Sequence, residues 1–194
     1  LIPDNVYARL LLSYSYSKNG RYAEAEKIAD NLLLLSDSHP YFNQLKGVSR
    51  YYADDLESAI EHLEKAIQNG QDTTSNRIII GYSYYRLSRL ESAYQNLRVV
   101  KNDIPQGHAS LKLLAAVKLK LGYDAETTDT IVQLGDSNAV NLSFLNDAGY
   151  KMLFDGFKES AKKVVAKAQD YENKAPLDEL KLGLLKLSLD DLSG

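Results

Sequence analysis

The chain has 194 residues, 44% hydrophobic and 25% charged, the profile of a folded protein able to bury one core or build a short solenoid. Its net charge of −3 gives no electrostatic reason to expect nucleic acid or an anionic membrane, and with no cysteine neither disulfides nor thiolate metal sites are available. No apolar run approaches the roughly 18 residues that a membrane span needs.

Apolar residues recur at helical spacing along almost the whole length. In chain order the spacing predicts helices over about 6–18, 22–36, 40–53, 56–69, 74–87, 90–102, 108–121, 125–134, 140–154, 157–172 and 177–190. Gly, Asn, Asp and Pro mark the breaks between them, as at Lys18-Asn19-Gly20, Asp37 to Pro40, Asp103 to Gly107 and Gly135 to Asn138. Strand-like alternation is nearly absent, and the one β-branched run, Ile78-Ile79-Ile80, is flanked by helical neighbours. The eighth helix is the weakest, because Thr127, Thr128 and Thr130 lower its helix propensity.

A period of thirty-four residues overlies these elements. Ser13, Gly47, Gly81, Ala115, Gly149 and Gly183 keep that step without insertion or deletion, and so do Ala25, Ala59, Ala93, Thr127 and Ala161. Antiparallel helices approach closely only where one presents little side chain, so both columns predict helix-to-helix contacts. Larger apolar residues keep the same step around them: Ala29, Leu63, Leu97, Ile131 and Val165, then Leu32, Ala66, Val100, Leu134 and Ala168. A period of this length means stacked supersecondary units, each with too little apolar area to stand alone.

These residues resemble the tetratricopeptide repeat, whose pattern asks for a small residue, an aromatic, a turn Gly, an aromatic, an Ala and a closing Pro. The first unit shows Leu12, Ser13, Tyr16, Gly20, Tyr22 and Ala25, and the third shows Ile80, Gly81, Tyr84, Leu90, Ala93 and Pro105. The fifth shows Gly149, Gly156, Ala161 and Ala168. Arg9, Asn43, Arg77, Leu111 and Leu145 replace the aromatic usual four residues before the small position. The resemblance implies an all-α, right-handed α-solenoid of helix-turn-helix repeats. Its units run over about 6–39, 40–73, 74–107, 108–141 and 142–175, with an extra helix at about 176–192. Leu1 to Asn5 reads as the closing turn of an earlier unit, and the last helix is apolar on many sides. The expectation is a segment of a longer array, with a natural end packed in a dimer as the other reading.

No catalytic or metal signature is present. His39, His62 and His108 fall in different units without ligand spacing and read as surface or turn residues; no Gly-rich loop follows a strand. No enzymatic activity, cofactor or metal is expected. The 14 tyrosines carry more information. In the family the first helix of each unit lines a concave groove, and by register that set here includes Tyr7, Tyr14, Tyr51, Tyr52, Tyr82, Tyr85, Arg86, Lys112, Asn146 and Tyr150. Lys18, Tyr41, Gln44, Ile78, Lys120 and Phe154 fall in the same set, with Arg50 and Arg77 nearby. Tyrosine offers rigid apolar area with a hydroxyl that orients a partner; the same rings could instead fill a tight inner curve. Family co-chaperones clamp a C-terminal carboxylate with Lys and Asn at positions held here by Leu10 and Tyr14, so that ligand is not expected.

The reading that follows is a protein–protein interaction scaffold binding a peptide or partner protein of unknown identity in a tyrosine-lined groove. The texture of equal-length units is similar to bacterial envelope arrays of exopolysaccharide export or surface-protein sorting, which favours the periplasm or envelope over the cytoplasm. Carbohydrate or single-stranded nucleic acid binding, with stacked rings beside Arg and Lys, is the alternative, as is a recruiting domain of a larger enzyme. Nucleic acid is the less favoured ligand at this charge, and the apolar last helix suggests self-association.

Overall fold

The computed structural model describes residues 5–134, 141–171 and 175–191. The expected turn at 1–4, the break at 135–138, the first residue of the ninth helix and the residues from 192 onward lie outside them. The described residues form α1 (Val6–Lys18), α2 (Tyr22–Leu33), α3 (Pro40–Tyr52), α4 (Leu56–Gln68), α5 (Thr74–Arg86) and α6 (Leu90–Val99). After a 3-10 turn at Lys101–Asp103 come α7 (Ala109–Leu121), α8 (Asp124–Gln133), α9 (Leu142–Phe154), α10 (Lys158–Gln169) and α11 (Pro176–Asp191). Among the described residues there is no strand. α2, α6 and α10 end earlier than the spacing predicts. The chain leaves α2 through an i→i−3 bond from the Leu35 amide to the Leu32 carbonyl, and His39, extended at ψ 124° before Pro40, cannot continue a helix. After α6 the 3-10 turn tucks Ile104 into buried surroundings.

Two compact units result, Leu1–Val100 and Lys101–Gly194. In the first, each helix from α1 to α6 packs on the next, and α3 also touches α1 and α5. In the second, α7 packs on α8, α8 on α10, α9 on α10, and α11 on both α9 and α10. The step of thirty-four returns in the backbone: Gly20, Asp54, Ser88, Gly122 and Gly156 all turn the chain between paired helices at positive φ. Asp54 and Ser88 hold φ 67° and 59° without glycine's freedom, which is strained for an L-residue.

The small-residue column marks the closest helix approaches. A β-carbon on Gly47 would stand 2.6 Å from Leu63 Cγ, and one on Gly81 would stand 2.6 Å from Leu97 Cγ. At Ser13 the hydroxyl donates to the Ala25 carbonyl of the paired helix at 3.1 Å. A β-carbon on Gly149 would meet Leu185 Cδ2 of α11 at 2.6 Å, with Val165 Cγ2 of its own hairpin at 3.8 Å. Gly183 differs, with nothing within 4 Å. Every member of the alanine column, Thr127 included, is fully buried.

The threonine-rich α8 is buried against its neighbours, and its hydroxyls are satisfied on their own helix. Thr127, Thr128 and Thr130 donate to the carbonyls four residues earlier, Tyr123, Asp124 and Glu126, at 2.8, 3.2 and 3.1 Å. At Arg77, one of the positions where the repeat pattern's aromatic is missing, polar contacts take its place. Arg77 makes a fork onto Asp72 with both contacts at 2.8 Å, and its third nitrogen donates to Asn96 of α6 at 3.2 Å.

Gly81→Val is expected to destabilise the chain by about 1–3 kcal/mol in urea unfolding, because Leu97 fills the space the new methyls need. In a Leu97→Ala background the same change should be neutral or stabilising, since those methyls enter the vacated volume. Additive effects of the two substitutions would rule out the contact.

Candidate functional site

The first helices of successive hairpins share one stripe at i, i+4, i+7 and i+11. On α1 it reads Tyr7, Leu11, Tyr14 and Lys18, and on α3, thirty-four residues later, Tyr41, Leu45, Val48 and Tyr52. Between the two stripes lies a groove of about 710 Å³, bordered also by Tyr22, His39 and Gln44. That volume falls in the usual range for ligand sites, and its walls are largely aliphatic and aromatic. The rings at its mouth are open, with Tyr7 68%, Tyr14 56%, Tyr41 52% and Tyr52 54% exposed.

Packing still organises these rings. Tyr52 stacks flat on Tyr22 with centroids 3.9 Å apart, and Tyr51 meets Tyr52 edge-on at 5.2 Å. His39 stacks on Phe42 at 3.8 Å. Burial, with a hydrogen bond that the Tyr22 hydroxyl donates to Tyr52, raises the Tyr22 phenol above its ordinary pKa. Lys18 lies over the Tyr14 ring at 5.4 Å, its ammonium beside an aromatic face.

The loop that carries His39 and Tyr41 to the groove is pinned from below. The Asn43 amide, fully buried, donates to the carbonyls of Asp37 at 2.8 Å and His39 at 3.1 Å. Its oxygen lies 3.0 Å from His62 Nδ1 on α4, which places the proton on that nitrogen. Nearby, Lys46 is nearly buried and meets both Glu26 and Asp30 of α2 at 2.6 Å, while Arg50 meets Glu26 at 2.7 Å and Asp55 at 3.2 Å. This network joins α2 to α3 behind the groove wall.

The residues singled out from sequence divide into three places. Tyr7, Tyr14 and Tyr52 converge on the groove, with Lys18, Tyr41 and Gln44. Tyr51, Tyr82, Tyr85 and Arg86 sit on α3 and α5, half-buried except for Arg86. Burial raises the phenols of Tyr51 and Tyr82, and the Arg86 guanidinium is 2.5 Å from Asp54. Lys112, Asn146 and Tyr150 belong to the second unit. Lys112 lies 5.4 Å from the Phe144 ring centre; Asn146, wholly buried, donates to the Asp178 carbonyl at 2.8 Å; the Tyr150 hydroxyl donates to the Lys181 carbonyl at 3.0 Å. The last two contacts fasten α9 to α11.

Tyr16 and Tyr84 occupy packing positions: the Arg21 guanidinium covers Tyr16 at 4.4 Å, and Tyr84 donates to Glu64 at 2.7 Å. Burial and that carboxylate push the Tyr84 phenol up to about 12. Sequence reasoning missed Leu11, Leu45, Val48, Tyr22 and His39 as groove residues. It selected rings and cations by type, whereas the repeating stripe contains the aliphatic wall as well. Among the described residues no group of three or more His, Cys, Asp or Glu is placed to hold a metal ion, and no helix is long and apolar enough to cross a membrane.

The columns, hairpins and stripe together define a helical-hairpin repeat protein with an open aromatic stripe on α1 and α3. Its fold is that of the tetratricopeptide-repeat solenoid, shared with solved structures of low identity. YrrB, a tetratricopeptide-repeat protein with an unusual peptide-binding site, superposes with a TM-score of 0.72 at 16% identity, covering 92% of this chain and 90% of its own. MamA of strain AMB-1 gives 0.72 at 16% identity, over 90% of this chain and 96% of its own. PilF of Pseudomonas aeruginosa gives 0.62 at 16% identity, over 95% and 86%. No protein-family model and no curated protein sequence matches the chain.

Burial holds the His62 imidazole below the ordinary histidine pKa of about 6.5. The unfolded chain then takes up the proton first, so stability should fall as pH drops below about 6.5 and level off beneath the folded-state value. Urea midpoints between about pH 7.5 and 5.5 should show this decline, and His62→Gln should flatten it; an NMR titration of His62 at or above the ordinary value would refute the assignment.

Proposed function

We propose that this chain is a protein-interaction scaffold that holds an apolar, aromatic-rich peptide or partner helix in the groove between α1 and α3. The observation that carries the reading is the convergence of four exposed tyrosines on an aliphatic-walled groove of about 710 Å³. Each ring supplies rigid contact area at low conformational cost and a hydroxyl for the peptide backbone. The likeness to YrrB, which has a peptide-binding site, supports the same class of ligand.

The electrostatics argue for a ligand of low charge. Of the cations picked out from sequence, Arg50, Arg77 and Arg86 are paired with carboxylates. Lys18 and Lys112 lie over rings. At Arg50, Arg77 and Arg86 an acidic ligand would have to compete with carboxylates already in place, and a nucleic-acid backbone would meet a chain of net charge −3. The equal-length units support a setting among bacterial envelope scaffolds, in exopolysaccharide export or surface-protein sorting.

The test uses peptides selected from a random library on the immobilised chain and measured by fluorescence anisotropy. Tyr14→Ala and Tyr41→Ala should each weaken binding by roughly tenfold or more, the loss typical of a central aromatic anchor. Gln68→Ala, on the exposed surface of α4, should leave it unchanged. Equal affinity for all three variants, each with an intact helical circular dichroism spectrum, would overturn the groove.

A further inference from the structure

The unpaired polar atoms of the groove in the first unit lie at its two ends. Its walls, α1 and α3, are the first helices of successive hairpins and run in the same direction. Ser17 and Lys18 stand where these helices finish, and His39 stands where they begin, one residue before Pro40. Ser17 Oγ and His39 Nδ1 are both buried without a hydrogen-bond partner, a state that costs free energy until a partner arrives. Between the ends lie Leu10, Leu11, Leu45 and Val48, which carry no polar side-chain atom, and Gln44, which already accepts from Gln71 at 3.3 Å.

His39 also departs from its own column. Asn5, Thr73 and Asn141 keep the same register, and each turns its side chain back to accept from the amide three residues on, at Ala8, Asn76 and Phe144. Residues at a helix start ordinarily act in this way. His39 makes no such bond: its ring lies on Phe42 at 3.8 Å and borders the groove. The first turn of α3 forgoes its cap, and a ring nitrogen is left for another partner.

In the step of thirty-four, His39 corresponds to position 5, twelve residues before Ser17. At about 1.5 Å per residue the two ends are roughly 18 Å apart along the walls. An extended peptide of that length would lay roughly five peptide groups against a wall that offers them no donor or acceptor. A helix satisfies its own backbone except in its first and last turns, which is where the groove keeps its polar atoms. Among the described residues that line the groove, Lys18 alone carries a full charge. An ammonium donates and cannot accept, so it matches the free carbonyls of a helix's last turn. His39 Nδ1, with the ring proton on Nε2, accepts from the free amides of a first turn.

We propose that the occupant of the groove is a helix of a partner protein, about three turns long, with its last turn at Ser17 and Lys18 and its first turn at His39. The assignment rests on the groove being a peptide site, and adds the ligand's conformation and direction. Ser17 turns about χ1 and His39 about χ2 on binding, since neither atom meets solvent.

The probe is the tightest library peptide, bound to the whole chain. Its circular dichroism difference spectrum should show helix gained on binding. Proline at the peptide's centre should weaken binding about a hundredfold, and the helix-favouring α-aminoisobutyrate at a non-anchoring position should tighten it. A nitroxide on the peptide's C-terminus should broaden the amide resonances of Lys18 and Arg21, and one on its N-terminus those of His39 and Tyr41. Lys18→Gln and His39→Asn should each weaken binding roughly three- to tenfold. His39→Asn regains the column's cap, so its urea midpoint should be unchanged or raised. A bound peptide without added helix, the reverse broadening pattern, or binding indifferent to both substitutions would each overturn the proposal, even where Tyr14→Ala and Tyr41→Ala weaken binding and uphold the groove. Tyrosine variants that bind as tightly as the unaltered chain would overturn the groove and the helix together.

Discussion

The fold depends on a leucine seated where a neighbouring helix has no side chain. At Gly47 and Gly81 the partner is the residue sixteen positions later, Leu63 or Leu97, each with no exposed surface. A β-carbon at either glycine would overlap the leucine, so the helices could not come as close with any other residue there. Ser13 meets the same need with a small side chain that also bonds the opposing backbone. Close approach matters because each hairpin is short and must gain its stability from dense contacts within itself and with the next.

Much of this was legible in the sequence because the period is a mechanical constraint. A hairpin that lost or gained one residue would rotate its small position away from the contact, and an unbroken step of thirty-four therefore predicts repeated contacts. What the pattern could not convey is how each unit compensates for its own substitutions. Asn43 stands where an aromatic is usual and becomes the buried tie between His62 and the loop before α3. Thr127 stands where alanine is usual, and its hydroxyl is absorbed by the Tyr123 carbonyl. Propensity alone ranked α8 lowest, and burial against its neighbours overrode it.

The candidate site was legible by residue type and not by neighbourhood. Tyr14 and Tyr150 occupy the same column, four periods apart. Tyr14 opens onto the groove, whereas the Tyr150 hydroxyl is spent on the Lys181 carbonyl because α11 lies alongside α9. Register assigns a face; the adjacent element decides whether a residue on that face meets solvent or protein. The same rule explains why rings at the groove serve two ends. Tyr52 is half exposed at the groove yet stacked on Tyr22, and that stacking fixes its orientation.

Unit-to-unit variation at the glycine column then accounts for the second unit's different construction. Sixteen residues after Gly149 stands Val165, whose branched side chain stays 3.8 Å from the β-position instead of filling it. Leu185 of α11 takes the place at 2.6 Å. The equivalent register position beside Gly47 is Ser83, too small to compete with Leu63. A leucine from within the hairpin and a leucine from α11 are thus alternative solutions to one packing requirement. Choosing the second recruits α11 into the core along a single stripe, with Asn146 and Tyr150 fastening its backbone.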